Sequence, residues 1–302
     1  MVRPRERLEV ILARGDCPSR QRNVAAREAR GDVLLFLDDD SRPSAGLIDT
    51  YLKAFRREPD VAAIGGPAVY SARGLWGRLG AAVLSEPLVT GRSASRYSAR
   101  GPSRRSDERE LILANLAVRR SAFEAAGGFE ESLYPNEENL LLDRLRDRGE
   151  LVRYEPSAVV TRPAPQAGQE LFGKVFRYGR GRAAQARRRL SASSAARVSA
   201  ALAALLLLLG VIAALPWTEL PLSALGVFLV HYHLALALRI SIREGFGLGI
   251  LAPMVASGVH IAYAAGILWG LFRRLPARGS DVTVEKRDFS SSSYPVSSPQ
   301  CQ

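Results

Sequence analysis

Hydrophobic residues follow different patterns in the two parts of this chain. Up to about residue 190, short apolar runs alternate with stretches of helical periodicity and with polar turns, which is typical of an α/β domain. Three long apolar blocks follow at about 198–216, 221–240 and 248–271, and each is as long as a helix that crosses a bilayer. The pattern predicts an α/β domain at 1–190, a transmembrane helical region at 191–275 and, because the last part is Ser-rich and charged, a disordered tail at 276–302.

Within the first part, apolar runs predict strands that are separated by helices. Strands are expected at 8–15, 33–37, 61–70 and 151–163 and within LILANLAVRR, and helices at 19–30 and 47–57, from about Ser121, and over NLLLDRLRDRG. The segment 71–108 is rich in Arg, Ser and Gly and is expected to be a mobile loop with a short amphipathic stretch near 75–84. This alternation predicts a mostly parallel, Rossmann-like sheet.

Three consecutive carboxylates, Asp38, Asp39 and Asp40, come directly after the apolar run 33–37. A continuously apolar strand is typical of the inside of a parallel sheet, and open α/β sheets bind ligands at the carboxyl ends of their strands. So dense a negative cluster needs a cation or a polyhydroxyl ligand to be stable. The alternative interpretation is an acidic turn that only caps the following helix.

A second acidic pair, Glu137 and Glu138, lies in YPNEEN just before a predicted helix. If the sheet brings the two acidic loops together, a carboxylate here could act as general base on a hydroxyl group. The alternative is acidity at a helix start, which the helix dipole favours without any catalytic role.

Charge and cysteine content limit the kinds of partner and the kinds of structural site that this protein could have. The formal charge of +12 is carried almost wholly by arginine, which suits anionic lipid or a phosphorylated substrate. No nucleic-acid motif accompanies the charge, so we expect no nucleic acid as a partner. Cys17 and Cys301 are too few for a disulfide framework or a cysteine metal site, and the first ten residues contain no apolar segment that would indicate a signal peptide.

Three segments in order carry a resemblance to a known family. They are RQRNVAAREARGDVLLFLDDDSRP, NLAVRRSAFEAAGGFEES and NEENLLLDRLRDRGELVRYEPSAVV. Over about residues 8–182 the chain resembles the inverting family 2 glycosyltransferases of the GT-A fold. The resemblance implies transfer of a sugar from a nucleotide-sugar donor to a hydroxyl acceptor, with inversion.

On the donor side, the resemblance assigns the aspartates to a DXD-type motif. Asp40, with Asp38, would bind a divalent ion, Mg²⁺ or Mn²⁺, and Asp39 would lie near the donor ribose or sugar. Arg22 and Asn23 match the family's basic residue and asparagine that face the nucleotide. A salt bridge on a helix face is the alternative for Arg22 and Asn23.

On the acceptor side, Gly127, Gly128 and Phe129 match the GGF turn beside the acceptor site, although a Gly-Gly helix stop explains them almost as well. Glu138 aligns with the second acid of the family's ED motif and would deprotonate the acceptor hydroxyl. The family usually has aspartate at this position, which leaves Glu137 as a rival for the base.

The membrane assignment follows from the basic residues beside the apolar blocks. RAAQARRRL at 182–190 places the catalytic domain on the cytoplasmic side of a multi-pass membrane protein, and the crossing of the third block stays open. Arg177, Arg180 and Arg182 in FRYGRGR could hold a diphosphate or lipid phosphate, or form an electrostatic patch without catalytic role. The implied acceptor is a glycan or a lipid-linked molecule.

One departure from the family pattern concerns the donor-binding half. Relatives begin with a further strand, helix and strand, so about fifty to sixty residues of that half are expected to be absent before LEVILARG. The alternative function is therefore a noncatalytic, truncated glycosyltransferase-like scaffold or partner subunit in the membrane.

Overall fold

The structure is a computed structural model that describes residues 8–189, 195, 196, 198–203, 206, 220–273, 275, 279 and 281–289. The strands are β1 Leu8–Gly15, β2 Val33–Leu37, β3 Arg42–Pro43, β4 Val61–Gly65, β5 Ala68–Ser71, β6 Arg104–Arg105, β7 Asn115–Arg119, β8 Leu151–Tyr154, β9 Val160–Pro163 and β10 Val282–Phe289. The helices are α1 Pro18–Glu28, α2 Leu47–Arg57, α3 Gly74–Leu84, α4 Pro87–Thr90, α5 Arg120–Ala125, α6 Glu137–Asp147, α7 Gly168–Arg188, α8 Leu220–Glu244 and α9 Phe246–Phe272.

The main sheet has five strands in the order β2-β7-β4-β8-β6 and is covered by helices on both faces. The predicted α/β class is confirmed, but the prediction of a mostly parallel sheet is wrong. Only β4 and β8 pair in parallel, because β7 enters antiparallel between β2 and β4 and β6 adds antiparallel to β8. An apolar strand buried on both faces has the same sequence pattern in either direction, so the sequence could not reveal this.

A second, three-stranded sheet has the order β3-β9-β5 and lies beside the acidic turn. β3 begins two residues after Asp40, and its Arg42 pairs with Thr161 of β9. On the other side of β9, Tyr70 of β5 pairs in parallel with Arg162. This small sheet therefore fixes the position of Arg162 relative to the three aspartates.

The C-terminal strand β10 corrects the prediction of a disordered tail at 276–302. It pairs antiparallel with β1 over eight residues, from Leu8 opposite Phe289 to Gly15 opposite Val282. Side chains support this pairing, because Lys286 Nζ lies 2.6 Å from Glu9 Oε2. The predicted strand at 8–15 is confirmed, but its partner is β10 and not the main sheet. Residues 290–302 of the predicted tail lie outside the described part of the chain.

The segment 71–108 is ordered, contrary to the prediction of a mobile loop, although the amphipathic stretch near 75–84 is present as α3. Buried ion pairs hold its second half. Arg92 bridges Asp107 and Glu110, at 2.8 Å each, and Arg104 Nη2 lies 2.6 Å from Glu110 Oε1. Composition indicated a loop here because the stabilising groups are charged and not apolar.

The two C-terminal helices pack against the α/β domain. Leu236 of α8 and Ala252 of α9 are fully buried in the same cluster as Leu79 and Val83 of α3. Glu86, which is fully buried, accepts from Arg239 Nε at 2.8 Å and from Arg243 Nη1 at 2.9 Å, so α8 is also tied to the domain by charge.

The backbones of helices α7 and α9 are in close contact. A Cβ atom on Gly179 would lie 2.3 Å from the carbonyl oxygen of Tyr263, and one on Gly266 would lie 2.2 Å from the carbonyl oxygen of Phe176. Glycine is therefore required on both helices for this contact.

The predicted membrane spans are only partly supported. Within the described residues, α9 is the one helix long and apolar enough to cross a membrane, and a third of its most apolar segment is buried. The predicted span 221–240 forms α8, and most of the predicted span 198–216 lies outside the described residues. A multi-pass topology is therefore not supported.

Candidate functional site

Two acidic motifs meet at the carboxyl end of β2. Arg22, on α1, donates from Nη2 to Asp38 Oδ1 at 2.7 Å and from Nη1 to Glu137 Oε1 at 2.8 Å. One guanidinium thus joins the aspartate turn to the first residue of α6, which lies 115 residues after Arg22. The two acidic loops face the same crevice, as the sequence suggested they could.

The two glutamates of the second motif are both buried but have different partners. Burial, followed by the charge of Glu138, raises the pKa of Glu137 to about 8, although Arg22 opposes this shift. Glu137 therefore holds its proton more strongly than an ordinary glutamate does. Glu138 is also buried, and its Oε1 lies 3.7 Å from Nη1 of Arg96.

The aspartate turn is neutralised by a second arginine, Arg162 of β9. Arg162 donates from Nε to Asp40 Oδ1 at 2.9 Å and from Nη2 to Asp40 Oδ2 at 3.1 Å. The same Nη2 lies 3.1 Å from Asp38 Oδ2. Burial disfavours the charged form of Arg162, but the hydrogen bond with Asp40 and the charge of Asp38 outweigh burial and raise the pKa of Arg162 above its ordinary value.

A divalent ion does not fit this arrangement as it stands. All four carboxylate oxygens of Asp38 and Asp40 are engaged by Arg22 or Arg162. Asp39 is exposed, and the described residues contain no cluster of three His, Cys, Asp or Glu side chains that could hold a metal. An Mg²⁺ or Mn²⁺ ion bound by Asp38 and Asp40 would have to displace a guanidinium.

Asn23 and the GGF turn form one structural unit. Asn23 Oδ1 accepts from Phe129 N at 2.9 Å, and Asn23 Nδ2 donates to Phe129 O at 2.8 Å. Gly128 has φ +67°, and a Cβ there would lie 2.9 Å from Asn23 Oδ1. Gly127 also has a positive φ, +79°. In this structure Asn23 serves the turn rather than an open nucleotide site, and the acceptor-side role of Gly127, Gly128 and Phe129 stays a prediction.

The three arginines predicted as a phosphate patch do not share one surface. Arg177 is exposed and Arg180 is half-buried, whereas Arg182 is buried and donates to Gln185 Oε1 at 3.0 Å. Because Arg182 faces the interior of the protein, these residues do not together present three charges to solvent.

Helix α7 instead supports the loop that precedes Glu137. A Cβ on Gly181 would lie 2.5 Å from the carbonyl oxygen of Pro135, and Asn136 Nδ2 donates to Tyr178 O at 3.4 Å. Further along, Gln185 Nε2 donates to Asp143 Oδ2 of α6 at 3.0 Å. Helix α7 thus contacts both the loop before Glu137 and α6 itself.

Sequence reasoning missed two residues of the crevice, Arg96 and Arg162. Arg96 lies in a segment that was expected to be mobile, and its Nη2 donates to Asn139 Oδ1 at 2.6 Å. Arg162 had one available signal, since it is the one charged residue in the predicted strand segment SAVVTRP.

Comparison with known protein families found a match for part of this chain. The sequence model described as "Glycosyl transferase family 2" matches residues 5–127, which include Arg22, the aspartate turn and Gly127. This part of the chain belongs to glycosyl transferase family 2. The predicted family is therefore confirmed, and with it the expectation that the chain is a glycosyltransferase homologue.

Among solved structures, this chain is similar to a mannosyltransferase, PcManGT from Pyrobaculum calidifontis, in complex with GDP-Man and Mn²⁺. Sequence identity is 15% and the TM-score is 0.48, over 81% of this chain and 66% of that chain. The chain thus spans just under two thirds of that relative. No curated protein matches.

Proposed function

We propose that the chain is a glycosyltransferase that moves a sugar from a nucleotide-sugar donor to a hydroxyl acceptor with inversion. The observation that carries the proposal is the bridge through Arg22, which joins Asp38, inside the segment that matches family 2, to Glu137, ten residues beyond that segment. The arginines here could bind the anionic donor, and a carboxylate beside them could act as a base on the acceptor.

In the proposed reaction Glu138 is the general base. Its carboxylate takes the proton of the acceptor hydroxyl while the acceptor oxygen forms a bond to the anomeric carbon. The bond between that carbon and the donor diphosphate breaks, and the nucleoside diphosphate leaves with the electron pair. Because the entering and leaving oxygens lie on opposite sides of the carbon, one displacement inverts the configuration. Glu137 is less suited to this role because burial and the charge of Glu138 raise its pKa and so favour its protonated form.

The proposal is tested by the products formed with nucleotide-sugars. We expect the purified chain to release UDP or GDP from at least one UDP-sugar or GDP-sugar when simple alkyl glycoside acceptors are added, and to form a product of inverted configuration. Chromatography of the nucleotide and NMR of the product measure these outcomes. Absence of nucleotide binding by a folded sample would favour the alternative of a noncatalytic scaffold.

We also propose that the protein works at the cytoplasmic membrane surface, on a lipid-linked or other glycan acceptor. Large apolar side chains are exposed at intervals of four residues on α8, at Val230, Leu234, Leu238 and Ile242, and on α9, at Phe246, Ile250 and Met254. Other positions of both helices are buried: Leu236 and Ile240 of α8 lie in one cluster with residues of α3, and α9 packs against α7. An exposed apolar face of this kind is typical of helices that lie in the membrane interface.

The membrane proposal predicts binding to anionic lipid vesicles through this face. Changing Leu234, Leu238 and Ile250 to Ser should weaken binding at least ~10-fold, since each buried side chain contributes roughly 1.5–3 kcal/mol. A matched control changes Val10, Leu12 and Val284, which are exposed apolar residues of the β1–β10 pair, to Ser. Co-sedimentation measures the result, and equal binding by both triple variants would contradict the proposal.

A further inference from the structure

The carboxylates of the acidic turn could bind a metal cation, but arginine side chains of the protein already bind them. Asp40 receives two hydrogen bonds from Arg162, and Asp38 is shared between Arg162 and Arg22. The planar guanidinium matches a carboxylate with two parallel hydrogen bonds, and such charge-assisted pairs are stronger than neutral ones.

The small sheet holds Arg162 next to the aspartate turn. β9 is held between β3 and β5, and β3 follows directly from the aspartate turn. Both ends of the Arg162–Asp40 pair are thus carried by neighbouring strands of one small sheet. The side chain of Arg162 is 13% exposed, whereas that of Asp40 is 40% exposed, so the pair lies at the solvent side of the crevice.

Charge balance indicates what the arginine achieves. The carboxylates of Asp38, Asp39, Asp40 and Glu138 lie in this region together with the guanidiniums of Arg22, Arg96 and Arg162. Without Arg162 the region would be more strongly negative and would repel a diphosphate. A divalent ion would offset part of this negative charge, and Arg162 offsets part of it already.

We propose that the guanidinium of Arg162 occupies the place of a divalent cation and holds the diphosphate of the donor, so that donor binding by this chain does not require a metal. This inference rests on the proposed function. Arg162 binds through its charge and its hydrogen-bond donors, and a phosphate oxygen that accepts from its fork takes the place of an oxygen of Asp40. Arg162 is therefore a binding residue for the donor, and Glu138 remains the base.

The test is calorimetric titration of the full chain with UDP and with GDP, in EDTA and in Mn²⁺. We expect the unchanged protein to bind at least one nucleotide equally well in both conditions. Arg162→Gln should weaken binding in EDTA by ~10-fold or more, because a charged hydrogen-bonding partner is lost. Added Mn²⁺ should restore binding to this variant, since the substitution frees both oxygens of Asp40 and one of Asp38.

The matched control is Arg153→Gln, which removes an arginine of similar exposure from β8. Arg153 Nη1 lies 2.5 Å from Glu58 Oε2, on a different strand pair from the acidic turn. It should bind nucleotide like the unchanged protein. A second readout without nucleotide is the Mn²⁺ affinity measured by electron paramagnetic resonance, which should be higher for Arg162→Gln than for the unchanged protein or the control.

The outcomes separate the inference from the proposed function. Binding by the unchanged protein that appears only with Mn²⁺, or Arg162→Gln that binds normally in EDTA, overturns the role of Arg162 and leaves the glycosyltransferase proposal in place. No binding of UDP or GDP by the folded chain in either condition overturns both. If Arg162→Gln does not fold, nucleotide binding by the unchanged protein in EDTA and in Mn²⁺ still tests whether a metal is required. A second variant, Arg162→Lys, should retain binding in EDTA.

Discussion

Replacing Glu138 by Gln is expected to lower the rate of sugar transfer by roughly 10²–10⁴-fold, because this is the usual contribution of a general base. The amide keeps the size of the side chain but cannot accept the proton of the acceptor. Donor binding should be unchanged, since Glu138 is paired with Arg96, at 3.7 Å between Oε1 and Nη1, whereas Asp38 and Asp40 are paired with Arg22 and Arg162. Single-turnover transfer and nucleotide titration measure the two effects separately.

The matched variant is Glu137→Gln, one residue earlier on the same helix. Because burial and the charge of Glu138 raise the pKa of Glu137 to about 8, an amide resembles the form already present at pH 7, and transfer should fall only modestly there. A larger loss for Glu137→Gln than for Glu138→Gln would reverse the assignment of the base.

The same pKa shift gives a sign for the pH dependence of stability. The unfolded chain releases the proton of this carboxyl near pH 4.5, whereas the folded protein releases it near pH 8. The contribution of Glu137 to stability is therefore complete below pH 4.5 and falls as pH rises from 4.5 to about 8. Glu137→Gln should remove this part of the decline, which thermal unfolding across the window would measure.

Replacing Gly179 by Ala is expected to destabilise the protein by about 3 kcal/mol, the upper end of the usual cost of overpacking. The added Cβ would lie 2.3 Å from the carbonyl oxygen of Tyr263 and 2.9 Å from the amide nitrogen of Ile267, and both are backbone atoms that cannot turn aside. Helix α9 would have to move away from α7, and α7 supports the loop before Glu137 through Gly181. Denaturant unfolding measures the loss, and transfer activity should decline with it.

Gly173→Ala, six residues earlier on α7, is the control. A Cβ at Gly173 would meet only Arg177 Nη1 at 3.7 Å, which is ordinary contact. Alanine is the better helix former by about 1 kcal/mol, so this variant should be as stable as the unchanged protein or more so. If both substitutions have the same effect, the close approach of α7 and α9 does not stabilise the fold.

The β1–β10 pair shows why the sheets were harder to predict than the strands. The run at 8–15 identified a strand correctly, because alternation and β-branched residues describe how one segment is buried. Its partner begins more than 260 residues later in a segment that composition placed in a disordered tail. Backbone hydrogen bonds hold the two strands together, and the sequence pattern of one strand does not encode which other strand receives them.

The aspartate turn and the glutamate pair were identified from sequence alone, because carboxylates directly after a buried strand and at a helix start are visible as local patterns. The family was also determined by sequence, since the motifs occur in order along the chain. Only the tertiary structure decided which cations face these acids. Arg162 is 122 residues from Asp40 and reaches it because β3 and β9 are neighbours in the small sheet. Charge pairing depends on distance in space, and the crossings of the chain set that distance.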